Sequence, residues 1–147
     1  MKLKIIAVGN VKEAAMRSLC EDYRERIGRH AAVDVIEIAD GAPDKVLAEM
    51  IRLAKGAHVV ALEAAGRELD SPAFAREIDR MSQEGKGDIA FLIGGKAGLP
   101  RTVLAPPFKA WSLSRLTFPH RLARLVLLEQ LYRAMAILKN EPYAASH

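Results

Sequence analysis

The sequence is poor in the residues that build disulfides, metal sites and membrane spans. Cys20 is the single cysteine among 147 residues, which excludes an intrachain disulfide framework. The four histidines are scattered without the spacing of metal ligands, so we expect no metal site. No window approaches the roughly 18 uninterrupted apolar residues of a membrane span, and no signal-like segment opens the chain. We therefore expect a cytoplasmic protein without membrane contact.

Common nucleotide-binding motifs are missing as well. No Gly-x-Gly-x-x-Gly follows the first apolar run, which disfavours a dinucleotide-binding fold, and no Gly-x-x-x-x-Gly-Lys-Ser/Thr occurs. The chain also lacks internal repeats, low-complexity tracts and linkers. Half of the residues are hydrophobic, and 147 residues suffice for one core but not for two. The sequence predicts one domain spanning residues 1–147.

Apolar periodicity predicts strands that alternate with helices. Strands are expected at residues 3–8, 33–38, 58–62 and 88–93, with a short one around Trp111. Helical spacing between them places these residues inward: Met16, Leu19, Cys20, Tyr23 and Ile27; then Val46, Leu47, Met50, Ile51 and Ala54; then Phe74, Ile78 and Met81. For the third of these helices, Ser71 is the expected N-cap and Pro72 the expected first helical residue. This order indicates an α/β fold whose mostly parallel sheet has helices on both faces. Ligands of such sheets bind beyond the carboxyl ends of the strands.

Two carboxyl-terminal segments suggest a bound small molecule. Gly94-Gly95 closes a predicted strand, and glycine lets the backbone approach a ligand closely because it has no Cβ. A polar stretch at residues 112–118 then leads to Pro119, which suits the first turn of a helix. Each feature also has a purely structural interpretation. The glycines can form a tight turn, and Ser112, Ser114 and Thr117 can cap and turn the chain.

The helix expected at residues 119–138 is apolar on much of its circumference. In so short a chain, such a helix predicts packing on the chain's own sheet and on a second subunit, hence a homodimer. Glu129 and Arg133 lie one helical turn apart and can form an i,i+4 pair. A structural pair and a catalytic role both remain open for these two residues.

Positive charge is concentrated toward the carboxyl end. Residues 1–95 hold 14 Lys and Arg against 16 Asp and Glu, whereas residues 96–147 hold 8 against 2. The cations of this last segment could line one surface that binds an RNA phosphate backbone, or form an ordinary solvated face. They are Lys96, Arg101, Lys109, Arg115, Arg121, Arg124, Arg133 and Lys139.

The carboxyl-terminal motifs resemble a known family. The matching residues are Leu92-Ile-Gly-Gly95, Gly98-Leu99, Leu113-Ser114, Leu116-Thr117, Pro119-His120, Glu129-Gln-Leu-Tyr-Arg-Ala134, Asn140 and Pro142-Tyr143, together with the opening Met1-Lys-Leu-Lys-Ile-Ile-Ala-Val-Gly9. They are similar to the ribosomal RNA large-subunit methyltransferase H family of the SPOUT, or trefoil-knotted, methyltransferases. The resemblance implies a homodimer with a carboxyl-terminal trefoil knot. It also implies methylation of N3 of a pseudouridine in large-subunit rRNA, with S-adenosyl-L-methionine as donor.

The same resemblance implies where the methyl donor binds. The expected contacts are Leu62, Gly94, Gly95, Leu113, Ser114, Arg115, Leu116, Thr117 and Phe118. Methyl transfer depends mainly on alignment of the two reactants, so no catalytic triad is expected. The N3 imide of pseudouridine must lose a proton, which a nearby base or cation would assist. Our catalytic candidates are His120, Arg133 and Tyr143, although a lone histidine is often structural.

The chain departs from the family at two places. Family members usually end in Pro-Tyr-His-Arg and have Gly-Gly-Pro-Glu-Gly in the glycine loop. This chain instead ends Pro142-Tyr-Ala-Ala-Ser-His147 and carries Lys96 and Ala97 in the loop. His147 could take the place of the missing histidine. The altered tail also motivates an alternative, a catalytically impaired relative that binds the ribosome or a nucleotide without methyl transfer. Free rRNA and the assembled ribosome both remain open as the partner.

Overall fold

The computed structural model describes residues 1–145 of the chain. Within this part, strands and α-helices alternate as the apolar periodicity predicts. The strands are β1 (Lys2–Val8), β2 (Ala32–Ile38), β3 (His58–Glu68), β4 (Ile89–Ile93) and β5 (Lys109–Ser112). The helices are α1 (Ala14–Gly28), α2 (Pro43–Ala54), α3 (Ser71–Ser82) and α4 (His120–Leu138), with short 3-10 helices at Arg101–Leu104 and Pro142–Ala145.

The five strands form one sheet in the order β2-β1-β4-β3-β5, and every neighbouring pair is parallel. The inner strand β1 pairs with β2 on one side, Leu3 opposite Val33, and with β4, the central strand, on the other, Leu3 opposite Ile89. Parallel pairing requires a crossover between consecutive strands, and the helices provide it. The predicted α/β class with a parallel sheet is therefore confirmed.

Helices cover both faces of the sheet, as predicted. Side chains alternate between the faces of a strand, so Leu3 and Ile5 pack with α1, α3 and α4, whereas Ile6 and Val8 pack with α2 and the first 3-10 helix. Lys4 is buried on the α2 side, where its Nζ donates to the carbonyls of Leu53 and Ala54 at 3.3 Å each. Its charge thus stabilises the carboxyl end of the α2 dipole.

Three local predictions are wrong. Leu19 and Ile51 are 49% and 42% exposed, because each lies at the margin of its helix's apolar stripe. The N-cap of α3 is Asp70 instead of Ser71, since the Asp70 carboxylate accepts from the backbone N of Ala73 at 2.8 Å. The hydroxyl of Ser71 donates to Gln130 on α4 instead.

The predicted end of the third strand at Leu62 is also wrong. β3 continues to Glu68, but its register with β5 breaks between Leu62 and Arg67, which both lie opposite Trp111. Residues 63–66 therefore bulge from the ladder at the point where the apolar run stops. The irregular stretch expected between residues 99 and 110 is confirmed by the Arg101–Leu104 3-10 helix.

The long helix α4 begins at His120, with Pro119 at its N-cap. Five of its buried residues pack with α1 and α3 in the larger of the two clusters that flank the sheet: Leu127, Leu128, Leu131, Ala134 and Met135. Arg124 and Ala136 are also buried on this helix. The fold thus holds the first turn of α4 beside the carboxyl ends of the strands.

Candidate functional site

A cavity of about 500 Å³ lies at the carboxyl ends of β4 and β5, beside the register break of β3 and the start of α4. We call it the carboxyl-edge cavity. Three segments form it: the register break after Leu62, the turn after β4, and the stretch between β5 and α4. Its volume is in the range of small-molecule sites, roughly 300–1,000 Å³. The lining residues are Leu62, Glu63, Ala64, Ile93, Gly94, Gly95, Lys96, Gly98, Leu99, Leu113, Ser114, Leu116, Thr117, Phe118, Pro119, His120, Arg121 and Ala123.

The glycine turn after β4 is tightly folded. The backbone N of Gly98 donates to the carbonyl of Gly95 at 3.0 Å, which closes a four-residue turn through Lys96 and Ala97. A Cβ on Gly94 would lie 2.9 Å from the carbonyl carbon of Gly98, closer than side chains pack. Glycine at position 94 is therefore required by the close return of the backbone, and it leaves main-chain groups facing the cavity.

The stretch between β5 and α4 forms the opposite wall. Ser114 turns the chain here, because its hydroxyl oxygen accepts from the backbone N of Leu116 at 3.0 Å. Leu113, Thr117 and Phe118 also line the cavity, and Leu116 lines it with 74% of its side chain exposed. The predicted donor residues thus meet in one cavity, with one exception treated next.

Arg115 does not line the cavity. Its side chain is 84% exposed, and its Nε lies 3.7 Å from a carboxylate oxygen of Glu68. Consecutive residues of an extended stretch point in different directions, so this side chain faces outward between two that face inward. Within this cavity, Arg115 can therefore contact a ligand only through its backbone.

Glu63 is a cavity residue that sequence reasoning missed. One of its carboxylate oxygens accepts from the backbone N of Leu99 at 3.3 Å, which joins the register break of β3 to the glycine turn. It is the one acidic side chain among the lining residues of the described chain. Its position directly after a predicted strand end was the available signal, since such positions face the ligand edge of a parallel sheet.

His120 and Arg121 also line this cavity, to which they bring an imidazole and a guanidinium group. The ring of His120 packs over Gly9, at the end of β1, and its Nδ1 is buried with no hydrogen-bond partner in the part of the chain described. Arg121 lies 3.1 Å from a carboxylate oxygen of Glu13. Of the three catalytic candidates, the structure thus brings His120 alone to the cavity within one protomer.

Comparisons with known proteins identify the family of the chain. A family model described as a predicted SPOUT methyltransferase matches residues 1–144. The protein named ribosomal RNA large subunit methyltransferase H from Sorangium cellulosum (strain So ce56) is 54% identical over 144 residues, 98% of this chain and 99% of that protein. The chain belongs to this SPOUT methyltransferase family.

Further relatives support the assignment. The ribosomal RNA large subunit methyltransferase H of Clostridium beijerinckii is 38% identical over 97% of this chain and 99% of its own length. A solved structure, described as a probable methylase family protein from Haemophilus influenzae Rd KW20, aligns with a TM-score of 0.56. That alignment covers 94% of this chain and 68% of the other, at 13% identity, and so it supports the fold alone.

In this SPOUT methyltransferase, Arg133 and Tyr143 lie away from the carboxyl-edge cavity. Arg133 follows His120 by thirteen positions on α4, or roughly 20 Å at about 1.5 Å per residue. Its Nη2 donates to Glu129 at 2.9 Å, which confirms the expected i,i+4 pair, and its guanidinium lies 4.9 Å from the ring centre of Tyr143. The three side chains form one cluster of their own.

The Tyr143 hydroxyl is held in its protonated form. It donates to Glu129 at 2.8 Å and lies 3.4 Å from the hydroxyl of Tyr23. Burial, followed by the hydrogen bonds to Tyr23 and Glu129, raises the pKa of Tyr143 far above its ordinary value. Tyr143 can therefore donate a hydrogen bond or stack at neutral pH, but it cannot remove a proton. The suggested replacement by His147 lies outside the described residues.

The eight carboxyl-terminal cations do not all lie on one exposed surface, which was one of the two interpretations that the sequence left open. Arg124 is 4% exposed and pairs with Glu37, and Arg133 is half-buried in its pair with Glu129. Lys96 and Arg121 alone of this set line the cavity. Helical spacing turns Arg124 toward the ends of β1 and β2, whereas Arg133, nine positions later, lies on the opposite side of α4 beside Tyr143. Counting charges along the sequence cannot show this.

The described residues contain neither a metal-binding cluster nor a membrane-spanning helix. No group of three His, Cys, Asp or Glu side chains within residues 1–145 is arranged to hold a metal ion. None of the helices described here is both long enough and apolar enough to cross a bilayer.

Proposed function

We propose that this SPOUT methyltransferase transfers a methyl group from S-adenosyl-L-methionine to N3 of a pseudouridine in large-subunit ribosomal RNA. The observation that carries the proposal is the carboxyl-edge cavity, which joins the glycine turn to the 113–118 stretch. It occurs in a chain 54% identical to a relative named for large-subunit rRNA methylation. The pseudouridine target comes from the family resemblance of the sequence motifs.

The residues of the cavity fit the donor's chemistry. Apolar walls from Leu62, Leu113 and Phe118 suit adenine, and main-chain groups beside Gly94 can bind its polar edge. The Glu63 carboxylate suits a ligand that carries a sulfonium and an ammonium group. When bound, the donor supplies a methyl group already activated by the positively charged sulfur. The protein's contribution is then to hold the reactants in line and to exclude water.

The N3 atom of the acceptor pseudouridine must lose its proton, and a group of the protein can assist this step. Removing a proton with a pKa of roughly 9 at neutral pH costs roughly 3 kcal/mol, at about 1.4 kcal/mol per unit. His120 lies on the cavity and can accept or position that proton. Arg121 and Lys96, on the same lining, can stabilise the negative charge that develops on the base.

The cations at the cavity also support an RNA substrate. Lys96 is exposed beside the glycine turn, where the family commonly has proline, and a lysine there can contact a phosphate. Such contacts add affinity without reading sequence. The assembled ribosome, which presents its rRNA in a fixed shape, is the partner we propose to test first.

The assembly and topology are further parts of the proposal. We propose a homodimer, because α4 leaves apolar side chains such as Leu122, Leu125 and Val126 only half-buried. A role of Arg133 or Tyr143 in catalysis would require a second subunit to bring them to a cavity. The single domain, the trefoil crossing and the cytoplasmic location, where ribosomes are found, remain predictions from the sequence.

Mass spectrometry of rRNA from a deletion strain tests the function directly. We expect the large-subunit rRNA of that strain to lack one N3-methylpseudouridine, and the purified protein to restore it on isolated ribosomes. The same strain complemented with the intact gene is the matched control. An unchanged modification profile in the deletion strain would refute the proposed reaction.

The impaired alternative has no support in the described residues, and a second measurement separates it from the active enzyme. Titration calorimetry with S-adenosyl-L-methionine measures donor binding, and turnover on assembled ribosomes measures transfer. Binding of donor and ribosome without turnover would favour the alternative. Methylation of free rRNA at the same rate as ribosomes would show that the assembled particle is not required.

A further inference from the structure

The most deeply buried charge near the carboxyl-edge cavity belongs to Arg124, which does not line it. The side chain of Arg124 is 5% exposed and lies on α4, one turn after His120. Its Nη1 donates to a carboxylate oxygen of Glu37 on β2 at 2.6 Å, and its Nη2 donates to the carbonyl of Gly9 at 3.0 Å. One guanidinium thus ties α4 to the carboxyl ends of two neighbouring strands.

Gly9 transmits this contact to the cavity wall. Its φ of +82° is a left-handed conformation that favours glycine, and its N donates to the carbonyl of Ile38 at 2.9 Å. A Cβ on Gly9 would lie 3.3 Å from the Cε1 of His120, so the ring lies directly over this glycine. The same backbone residue therefore accepts from Arg124 and supports the ring of His120.

Stability alone does not explain a buried arginine at this place. The Arg124 guanidinium loses its hydration although its partner Glu37 is 43% exposed, and apolar replacements of a buried charge of similar size are often neutral for folding. The Nε of Arg124 is in addition buried without a hydrogen-bond partner among the described residues. What a planar guanidinium provides here is a fixed geometry, since two of its donors point to two acceptors on different strands.

We propose that Arg124 is a positioning residue for the carboxyl-edge cavity. It holds the first turn of α4 against β1 and β2, and so fixes His120 and the wall that this turn forms. The inference rests on the proposed function only in taking that cavity as the donor site. A wall that shifts by a fraction of an ångström misaligns a bound reactant, which can reduce rate or affinity by one to two orders of magnitude.

The test replaces Arg124 with an apolar residue of similar length. We expect Arg124→Met to keep a thermal midpoint close to that of the intact protein while weakening S-adenosyl-L-methionine binding at least about tenfold. Arg124→Lys can reach only one of the two acceptors and should give an intermediate loss. The control is Arg52→Met, which removes an exposed arginine paired with Glu49 on α2 and should leave binding within about twofold.

A second measurement does not depend on the donor. The ring nitrogen resonances of His120, assigned by comparison with His120→Gln, should shift in ligand-free Arg124→Met and stay in place in Arg52→Met. Native donor affinity together with unmoved His120 resonances in Arg124→Met would overturn the inference. If Arg124→Met does not fold, the same two results in Arg124→Lys would overturn it. If the intact protein binds no donor, the proposed function fails, and the His120 resonances still decide the role of Arg124.

Discussion

Replacing Gly94 with alanine tests whether the tight turn after β4 builds the donor site. The added Cβ would lie 2.9 Å from the carbonyl carbon of Gly98 and 3.1 Å from the backbone N of Leu99. Ordinary contacts of a Cβ begin at 3.4 Å, so the turn must open by 0.5 Å, the difference between 3.4 and 2.9. Both neighbours are backbone atoms, and they cannot move aside as a flexible side chain would.

The expected cost follows from this overlap. Overpacking a tight site costs about 1–3 kcal/mol, which for a chain of this length lowers the thermal midpoint by roughly 3–10 °C. The Gly95 to Gly98 turn forms one wall of the carboxyl-edge cavity, so its displacement should also weaken donor binding. We expect at least about a tenfold loss of affinity, which corresponds to about 1.4 kcal/mol.

Calorimetry with S-adenosyl-L-methionine and thermal unfolding measure the two effects on the same samples. Gly28→Ala is the matched control, because an added Cβ there meets no atom within 4 Å at the end of α1. The control should bind donor normally, and its free energy of unfolding should be unchanged or higher by up to about 1 kcal/mol.

Two results would contradict the reasoning in different ways. A Gly94→Ala protein with the midpoint and affinity of the intact chain would show that the turn tolerates a side chain. A destabilised protein with unchanged donor affinity would show that the turn is tight but does not belong to the donor site.

Three further predictions concern charge and burial. Hydrogen bonds, chiefly from Arg80, lower the pKa of Glu77, so its contribution to stability is present above the ordinary glutamate pKa and is lost as the pH falls through the lowered value. Glu77→Gln should cost about 1 kcal/mol at pH 7 in urea unfolding, and an equal cost at pH 3 would contradict this assignment. Burial raises the pKa of the Cys20 thiol. Iodoacetamide should therefore label Cys20 at pH 8 far more slowly in the native protein than in urea, and equal labelling rates would refute its burial. Lys96→Ala should raise the KM for ribosomes severalfold and reduce the salt slope of log KM by about 1, whereas an unaltered slope would exclude a phosphate contact.

The sequence was sufficient for most of the fold. Apolar runs of period two and stripes of helical spacing depend on local burial, which is why β1, β2, β4 and all four helices lie where the periodicity predicts them. Glycines after a strand and a polar stretch before a proline likewise locate two walls of the cavity. These features are local, and a single sequence displays them.

Features that depend on distant partners could not be predicted in this way. The continuation of β3 past Leu62 requires pairing with β5, nearly fifty positions later, and the end of the apolar run at Leu62 predicts a strand end there instead of a register break. Burial of Arg124 depends on acceptors at Gly9 and Glu37, more than eighty positions earlier. Charge counting along the chain treated this arginine as a surface cation for that reason.

The position of β1 between β2 and β4 in a parallel sheet has a consequence for biosynthesis. The backbone N of Lys2 donates to the carboxylate of Asp88 just before β4, a separation of 86 residues. At a translation rate of 5–20 residues per second, the edge of β1 that pairs with β4 remains unpaired for roughly 4–17 s, until β4 is synthesised. During translation, the nascent chain therefore exposes an apolar strand with one unpaired edge. We expect chaperones that shield such edges to bind it.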